Sequence, residues 1–96
     1  MVTEIVLLYT WEKENDLFEK AFREAGEIIS KTAGYLEHEL QKCIEMKNKY
    51  MLIVRWNTIE DHTEGFRKSE AYKEWKRLLH HFYDPFPVVE HYQKIY

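Results

Sequence analysis

The chain has 96 residues, a formal net charge of −3 and one cysteine, Cys43. This length predicts a single domain over residues 1–96, and one cysteine excludes an internal disulfide and argues against a secreted, disulfide-stapled scaffold. The acidic balance gives no basis for a nucleic-acid partner. Since no apolar run approaches the roughly 20 residues of a membrane span, we expect no membrane association and a cytoplasmic location.

The first third of the chain predicts a strand followed by a helix. Residues 3–10 are rich in β-forming side chains. Residues 12–33 place their apolar side chains at helical spacing, which predicts a helix. Asn15 or Asp16 can cap its start, and Gly34 can end it in the left-handed conformation.

The middle of the chain predicts a pair of strands. They cover residues 35–45 and 50–56, and residues 46–49 form the short connection between them, with Asn48 as the turn residue.

The last part of the chain predicts two helices and a final strand. Thr58 and Asp61 resemble a capping box that opens a short helix, and Ser69 can cap the next one. One face of that next helix carries four large apolar side chains, Tyr72, Trp75, Leu79 and Phe82. The Asp84-Pro85 pair stops it, and residues 88–95 predict the final strand.

The order βαββαβ is that of an α+β, ferredoxin-like fold (the split βαβ plan), with a four-stranded antiparallel sheet. The third strand is apolar on both faces: Tyr50, Leu52, Val54 and Trp56 alternate with Met51 and Ile53. A strand of this kind needs both faces covered, and the helices can cover only one. A second copy of the sheet is the simplest cover, so we expect a homodimer through the sheet faces. The sequence alone does not say which face is which.

Four segments of the chain resemble one family. They are Gly34–Leu40, Leu52–Trp56, the helix pair over 59–82, and Pro87–Tyr92. In order and spacing they are similar to the antibiotic biosynthesis monooxygenase (ABM) domain family of dimeric α+β barrels, and the resemblance covers essentially the whole chain. It implies a cleft between the sheet and the helices of each subunit. It also implies a cofactor-independent monooxygenase that acts on a small aromatic or polyketide-like compound with O2.

The candidate site residues come from the aromatic-rich second half of the chain. A base or acceptor for a phenolic proton is needed, and His62 is the best candidate because it shares a helix face with Phe66. Tyr72 and Arg67 are the candidate donors. The predicted apolar walls and substrate contacts are Phe66, Trp75, Phe82 and His91.

The resemblance is incomplete at one of these positions. Quinone-forming members of the family have a Trp and, six residues later, a Tyr in the pocket. Counted back from Ser69, the matching positions are Phe66 and Tyr72, so the Tyr is kept and the Trp N–H donor is lost.

Other chemistries have less support in the sequence. The histidines lack the i, i+4 spacing of a helical metal site, so no metal is expected. Heme-degrading relatives use an Asn, a Trp and an axial His, whose counterparts here are Ile5, Gly65 or Phe66, and Lys76. Heme degradation is therefore not expected, and no cofactor is predicted.

Two further functions stay open: a non-catalytic module that binds a small apolar ligand, and a purely structural dimerisation domain. If His62 is a catalytic base, activity should rise with pH near its ordinary pKa of about 6.5.

Overall fold

The protein is described by a computed structural model that covers residues 1–96. Its regular elements are β1 (Val2–Tyr9), α1 (Asn15–Ile29), β2 (Tyr35–Lys42), β3 (Lys49–Trp56), α2 (Glu70–Leu79) and β4 (Val89–Tyr92). Three short turns complete them: 3-10 helices at Glu12–Glu14 and His80–Phe82, and a π-helix at Asp61–Phe66. The βαββαβ order confirms the predicted ferredoxin-like α+β fold.

The four strands form one antiparallel sheet in the order β2-β3-β1-β4. The first strand is therefore central, with the third strand on one side and the short last strand on the other. This register places Glu4 opposite Val54 on one side and opposite His91 on the other. The position of Glu4 in the middle of the sheet matters for the site described below.

The helices cover one face of the sheet, and the hydrophobic core lies between them. On β3 the core side chains are Tyr50, Leu52, Val54 and Trp56, and all four are buried. On α1 they are Phe18, Phe22, Ala25 and Ile29, which follow the predicted helical spacing. The alternating pattern of β3 thus assigns its all-apolar row to the helix side.

The opposite face of the sheet, here called the outer face, has no helix over it. It presents Ile5, Leu7 and Met51 half-buried, and Ile53 at 8% exposure. The exposed side chains of Phe86 and Val88 flank it. An uncovered apolar sheet face is the feature from which the sequence predicted a partner.

The first predicted helix is shorter than expected. It begins as a 3-10 turn and ends at Ile29 rather than at residue 33. Asn15 does not cap it, because its side chain accepts from Thr10 Oγ1 (2.6 Å) and donates to the Lys47 carbonyl (2.7 Å). The predicted left-handed stop is confirmed, since Gly34 has φ +85°.

The other two predicted caps are also confirmed. Thr58 and Asp61 form a reciprocal capping box, with the Thr58 N–H on Asp61 Oδ2 (3.0 Å) and the Asp61 N–H on Thr58 Oγ1 (3.2 Å). Ser69 Oγ accepts from the Tyr72 N–H at 3.2 Å and opens α2.

Two predicted strands were too long. β2 ends at Lys42 instead of residue 45, where its ladder with β3 ends at Tyr50. β4 covers four residues instead of 88–95 because its last partner on β1 is Thr3, opposite Tyr92. Neither helix is long and apolar enough to cross a membrane.

Candidate active site

The π-helix brings two predicted site residues into the core. Its wide turn is closed by the Arg67 N–H, which donates to the His62 carbonyl five residues earlier (2.9 Å). His62 and Phe66 are both buried, at 4% and 2% exposure. The His62 ring stacks on Trp56, with ring centroids 5.3 Å apart and planes 18° apart. π-Helical turns are rare and often mark functional sites.

A buried carboxylate lies against this stack. Glu4 Oε1 accepts from Trp56 Nε1 at 2.9 Å and lies 3.5 Å from His62 Nε2. On its other side, His62 Nδ1 shares a hydrogen bond of 2.8 Å with His91 Nε2. Glu4, His62 and His91, here called the acid–imidazole row, thus follow one another from the middle of the sheet to its edge strand.

Two polar atoms of this row remain available to a ligand. Every fully buried side-chain nitrogen and oxygen has a hydrogen-bond partner. Glu4 Oε2 and His62 Nε2 have no hydrogen bond within the protein, so these two atoms are not fully buried. Both residues line the same cavity. The two atoms therefore keep contact with the cavity, where a substrate hydroxyl could meet them.

Burial sets the protonation states of the row. It raises the pKa of Glu4 to about 7, although the Trp56 hydrogen bond and the Arg67 charge act in the opposite direction. Burial, together with the charge of Arg67 and the neighbouring His91, lowers the pKa of His62 to about 3. Burial and Arg67 also lower the pKa of His91.

A rise of activity with pH near 6.5, expected if His62 is the base, is therefore not supported, because burial lowers the pKa of its imidazole to about 3. The group that changes charge near neutrality is Glu4. A general base works best when its pKa lies near the working pH, so Glu4 fits that role better than His62 does.

The cavity between the sheet and α2 brings together most of the predicted site residues. Its lining includes five of them: His62, Phe66, Arg67, Tyr72 and Trp75. Two others lie elsewhere. Phe82 is buried in the core beside Phe18, with ring centroids 5.8 Å apart, and His91 contacts His62 instead of the cavity.

The cavity is small, at about 50 Å³. That space holds a few water molecules, whereas pockets for drug-sized ligands measure roughly 300–1,000 Å³. The side chains of the domain therefore fill most of their own cleft. Phe86, which lines the cavity, lies outside the regular elements and is 67% exposed.

Sequence reasoning missed Glu4. A signal was present, because Glu4 shares its strand face with Val6 and Leu8, and a carboxylate interrupts an otherwise apolar row. A charged residue at such a position is almost never fully buried unless it is paired. No group of three or more His, Cys, Asp or Glu side chains is arranged to hold a metal ion.

Comparison with known proteins assigns the family. Residues 1–78 match the antibiotic biosynthesis monooxygenase family. The chain belongs to this family. It is 55% identical over 95 residues to the uncharacterized protein YczJ of Bacillus subtilis (strain 168), which covers 99% of this chain and all of that protein.

Solved structures agree with this assignment. The crystal structure of a putative antibiotic biosynthesis monooxygenase from Bordetella bronchiseptica has a TM-score of 0.94 and 27% identity, covering 99% of this chain and 97% of that one. A variant of SnoaB, a cofactor-independent oxygenase from Streptomyces nogalater, has a TM-score of 0.78 and 14% identity, covering 99% and 93% of the two chains. At that identity the SnoaB likeness shows the shared fold alone.

Proposed function

We propose that this ABM-family protein is a cofactor-independent monooxygenase that uses O2 on a small aromatic compound with an acidic hydroxyl. The observation that carries the proposal is Glu4, a buried carboxyl with its pKa raised to about 7, whose Oε2 is open to an aromatic-lined cavity. A carboxylate in that state can take a phenolic proton at neutral pH. SnoaB, which has the same fold, is a cofactor-independent oxygenase.

The residues around Glu4 have complementary roles. Trp56 Nε1–H donates to Oε1, which leaves Oε2 to accept the substrate proton. His62 is neutral, and once its ring proton is on Nε2 it can donate a hydrogen bond to the phenolate. Burial raises the pKa of Tyr72, so its hydroxyl keeps its proton and can act as a second donor. Arg67 is exposed at the cavity and favours an anion there.

The overall reaction conserves atoms and electrons. A phenol with one hydrogen on its reacting ring carbon and one O2 give a quinone and one water. The hydroxyl hydrogen and the ring hydrogen end in the water, four electrons pass from the phenol to O2, and one oxygen atom stays on carbon. The apolar walls exclude bulk water while reactive intermediates exist.

The size of the cavity favours a small substrate. A multi-ring polyketide requires Phe86 and its loop to move outward, whereas a single-ring phenol needs less displacement. The same observation supports the second candidate function, a module that binds a small apolar ligand without chemistry.

Oxygen uptake with a panel of anthrone-type and single-ring phenols separates the two functions. An enzyme consumes O2 at a rate proportional to protein concentration and loses that activity in Glu4→Gln. A binding module consumes none, yet a ligand at 100 times its Kd still stabilises it by about 2.7 kcal/mol in thermal unfolding. If no compound causes oxygen uptake or thermal stabilisation, the remaining function is that of a structural dimerisation domain.

We also propose that the protein is a homodimer, joined through the outer face, in the cytoplasm. The uncovered row of Ile5, Leu7, Met51 and Ile53 supports the dimer, and the single free cysteine, Cys43, suits a reducing compartment. Sedimentation equilibrium at micromolar concentration should give the dimer mass, and Met51→Lys should give a folded monomer. A wild-type monomer would disprove this arrangement.

A further inference from the structure

We propose that His62 and His91 form a proton relay that connects Glu4 with solvent. The proposal deepens the proposed function, since it concerns the proton that Glu4 takes from the substrate. It assigns a role to His91, which does not contact the cavity and which the reaction above leaves unused.

The geometry gives a continuous path. Glu4 lies on the central strand at 5% exposure, so its carboxyl meets only the few water molecules of the cavity and not bulk water. His62 Nε2 is 3.5 Å from Glu4 Oε1, and a side-chain shift of about 0.6 Å would bring the pair to hydrogen-bond distance. His62 Nδ1 is already bonded to His91 Nε2 at 2.8 Å. His91 is half-buried on the last strand, which forms one edge of the sheet.

The other polar groups around Glu4 cannot serve as the path. Trp56 is a donor only and has no site for a second proton. Arg67 has hydrogen-bond donors only and no acceptor site. The Tyr72 hydroxyl has no hydrogen bond to Glu4, which acts on it only through its charge. The two imidazoles each have one donor and one acceptor nitrogen when neutral, which is what a relay requires.

The transfer balances at every bond. Before it, Glu4 is protonated by the substrate, and both imidazoles are neutral with their protons on Nδ1. The Glu4 carboxyl turns so that its protonated oxygen faces His62 Nε2 and gives it the proton, His62 Nδ1 gives its own to His91 Nε2, and His91 Nδ1 releases one to water. Glu4 is again a carboxylate, and both imidazoles are again neutral with their protons on Nε2, from which His62 can donate to the phenolate. No electron is transferred. The reverse sequence returns a proton when oxygen is reduced to water, which restores the starting tautomers.

The test measures proton transfer directly, without a substrate. A stopped-flow pH jump across pH 7, followed by the infrared band of the Glu4 carboxyl, reports how fast that buried group gains its proton. Glu4→Gln identifies the band by removing it. His91→Gln keeps an amide that can accept the hydrogen bond from His62 Nδ1–H but cannot relay a proton. His81→Gln, at an exposed histidine, is the matched control.

A relay predicts that His91→Gln slows Glu4 protonation by about 10²-fold, the lower end of the range for acid–base groups, while His81→Gln leaves it unchanged. In His91→Ala, added imidazole should restore the rate, and this variant also serves if His91→Gln does not fold. Turnover should follow the same pattern.

Equal rates in His91→Gln and His81→Gln, or no rescue of His91→Ala by imidazole, would overturn the relay. The outcome is separate from that of the proposed function. If no phenol supports oxygen uptake but Glu4 is protonated more slowly in His91→Gln, the relay stands and the enzyme proposal fails. If turnover needs Glu4 but Glu4 is protonated at the same rate in both variants, the enzyme proposal stands and the relay fails.

Discussion

The two ends of the helix-covered sheet face are both aromatic but chemically different. At one end, Phe18 is in the centre of a cluster of ring edges, with Tyr50 at 4.9 Å and Phe82 at 5.8 Å between centroids. At the other end, Trp56 and His62 stack beside a buried carboxyl. The first end is an ordinary packed core, and the second contains a candidate site. Aromatic content alone does not distinguish them, whereas a buried group that titrates near neutrality does.

The difference has an energetic meaning. A buried carboxylate with a single hydrogen bond is destabilising compared with an apolar side chain at the same position. The Phe18 end has no such group, because Tyr50 places its hydroxyl at the rim, where it donates to the exposed Glu19. Unfavourable residues of this kind concentrate where function requires them. The following variants test whether the two ends separate in this way.

The largest expected effect is on turnover. Glu4→Gln keeps the size and the Trp56 hydrogen bond but removes the proton acceptor, so oxygen uptake with an accepted phenol should fall by about 10²–10⁴-fold. Tyr50→Phe, at the other end of the core, is the control and should leave turnover within about twofold of wild type. A Glu4→Gln protein with wild-type turnover would exclude Glu4 as the base.

The Phe18 end should dominate stability instead. Phe18 is 0% exposed, and its replacement by Ala should lower the free energy of unfolding by about 3–5 kcal/mol, measured by urea denaturation. The native protein that remains should still show the raised pKa of Glu4. A loss below about 1 kcal/mol, which is typical of surface substitutions, would show that this end is not the structural centre of the core.

The pH dependence of stability should separate Glu4 from the rest of the chain. Between its ordinary pKa of 4.5 and about 7, the folded state holds a proton that the unfolded state has lost. Stability therefore falls as pH rises through this window, by about 3 kcal/mol in total. His62 acts in the opposite direction, and its contribution is lost as pH falls from 6.5 towards about 3.

The comparison of wild type with Glu4→Gln isolates the contribution of Glu4 to the pH dependence of stability. Urea midpoints and slopes at several pH values give the free energy of unfolding of both proteins. From pH 4.5 to pH 7 or above, the free energy of unfolding of the variant should rise by up to about 3 kcal/mol relative to that of the wild type. Below pH 4.5 the difference should be constant. A difference that does not change with pH would mean that Glu4 has the same pKa in both states.

The sequence was sufficient for the fold because local signals agree with it. The alternating side chains of β3, the stop at Gly34 and the caps at Thr58 and Ser69 each act over a few residues. Element ends were less predictable. The first helix and the last strand were both predicted too long, because tertiary contacts set where they begin and end. Examples are the side-chain hydrogen bond of Asn15 and the pairing of β4 with the end of β1.

The candidate site was predicted only in part, for a similar reason. Helical spacing placed His62 beside Phe66, and both line the cavity. The contacts of His62 with Glu4 and His91 join residues 58 and 29 positions apart. Strand register places Glu4 opposite His91, and the packing of the π-helix on the sheet brings His62 to both. The pKa values follow from burial, which a local pattern does not specify. This is why the sequence indicated an imidazole base and the structure favours a carboxylate.

The most direct test of this account is the pKa of Glu4 in the intact wild-type protein. Infrared titration of the carboxyl band, with Glu4→Gln as the blank, should give a midpoint near 7, as burial on the central strand requires. The ionised fraction should then rise across the range in which oxygen uptake rises. A midpoint near 4.5, the ordinary value for a solvated glutamate, would contradict the assignment of Glu4 as a proton acceptor tuned to neutral pH.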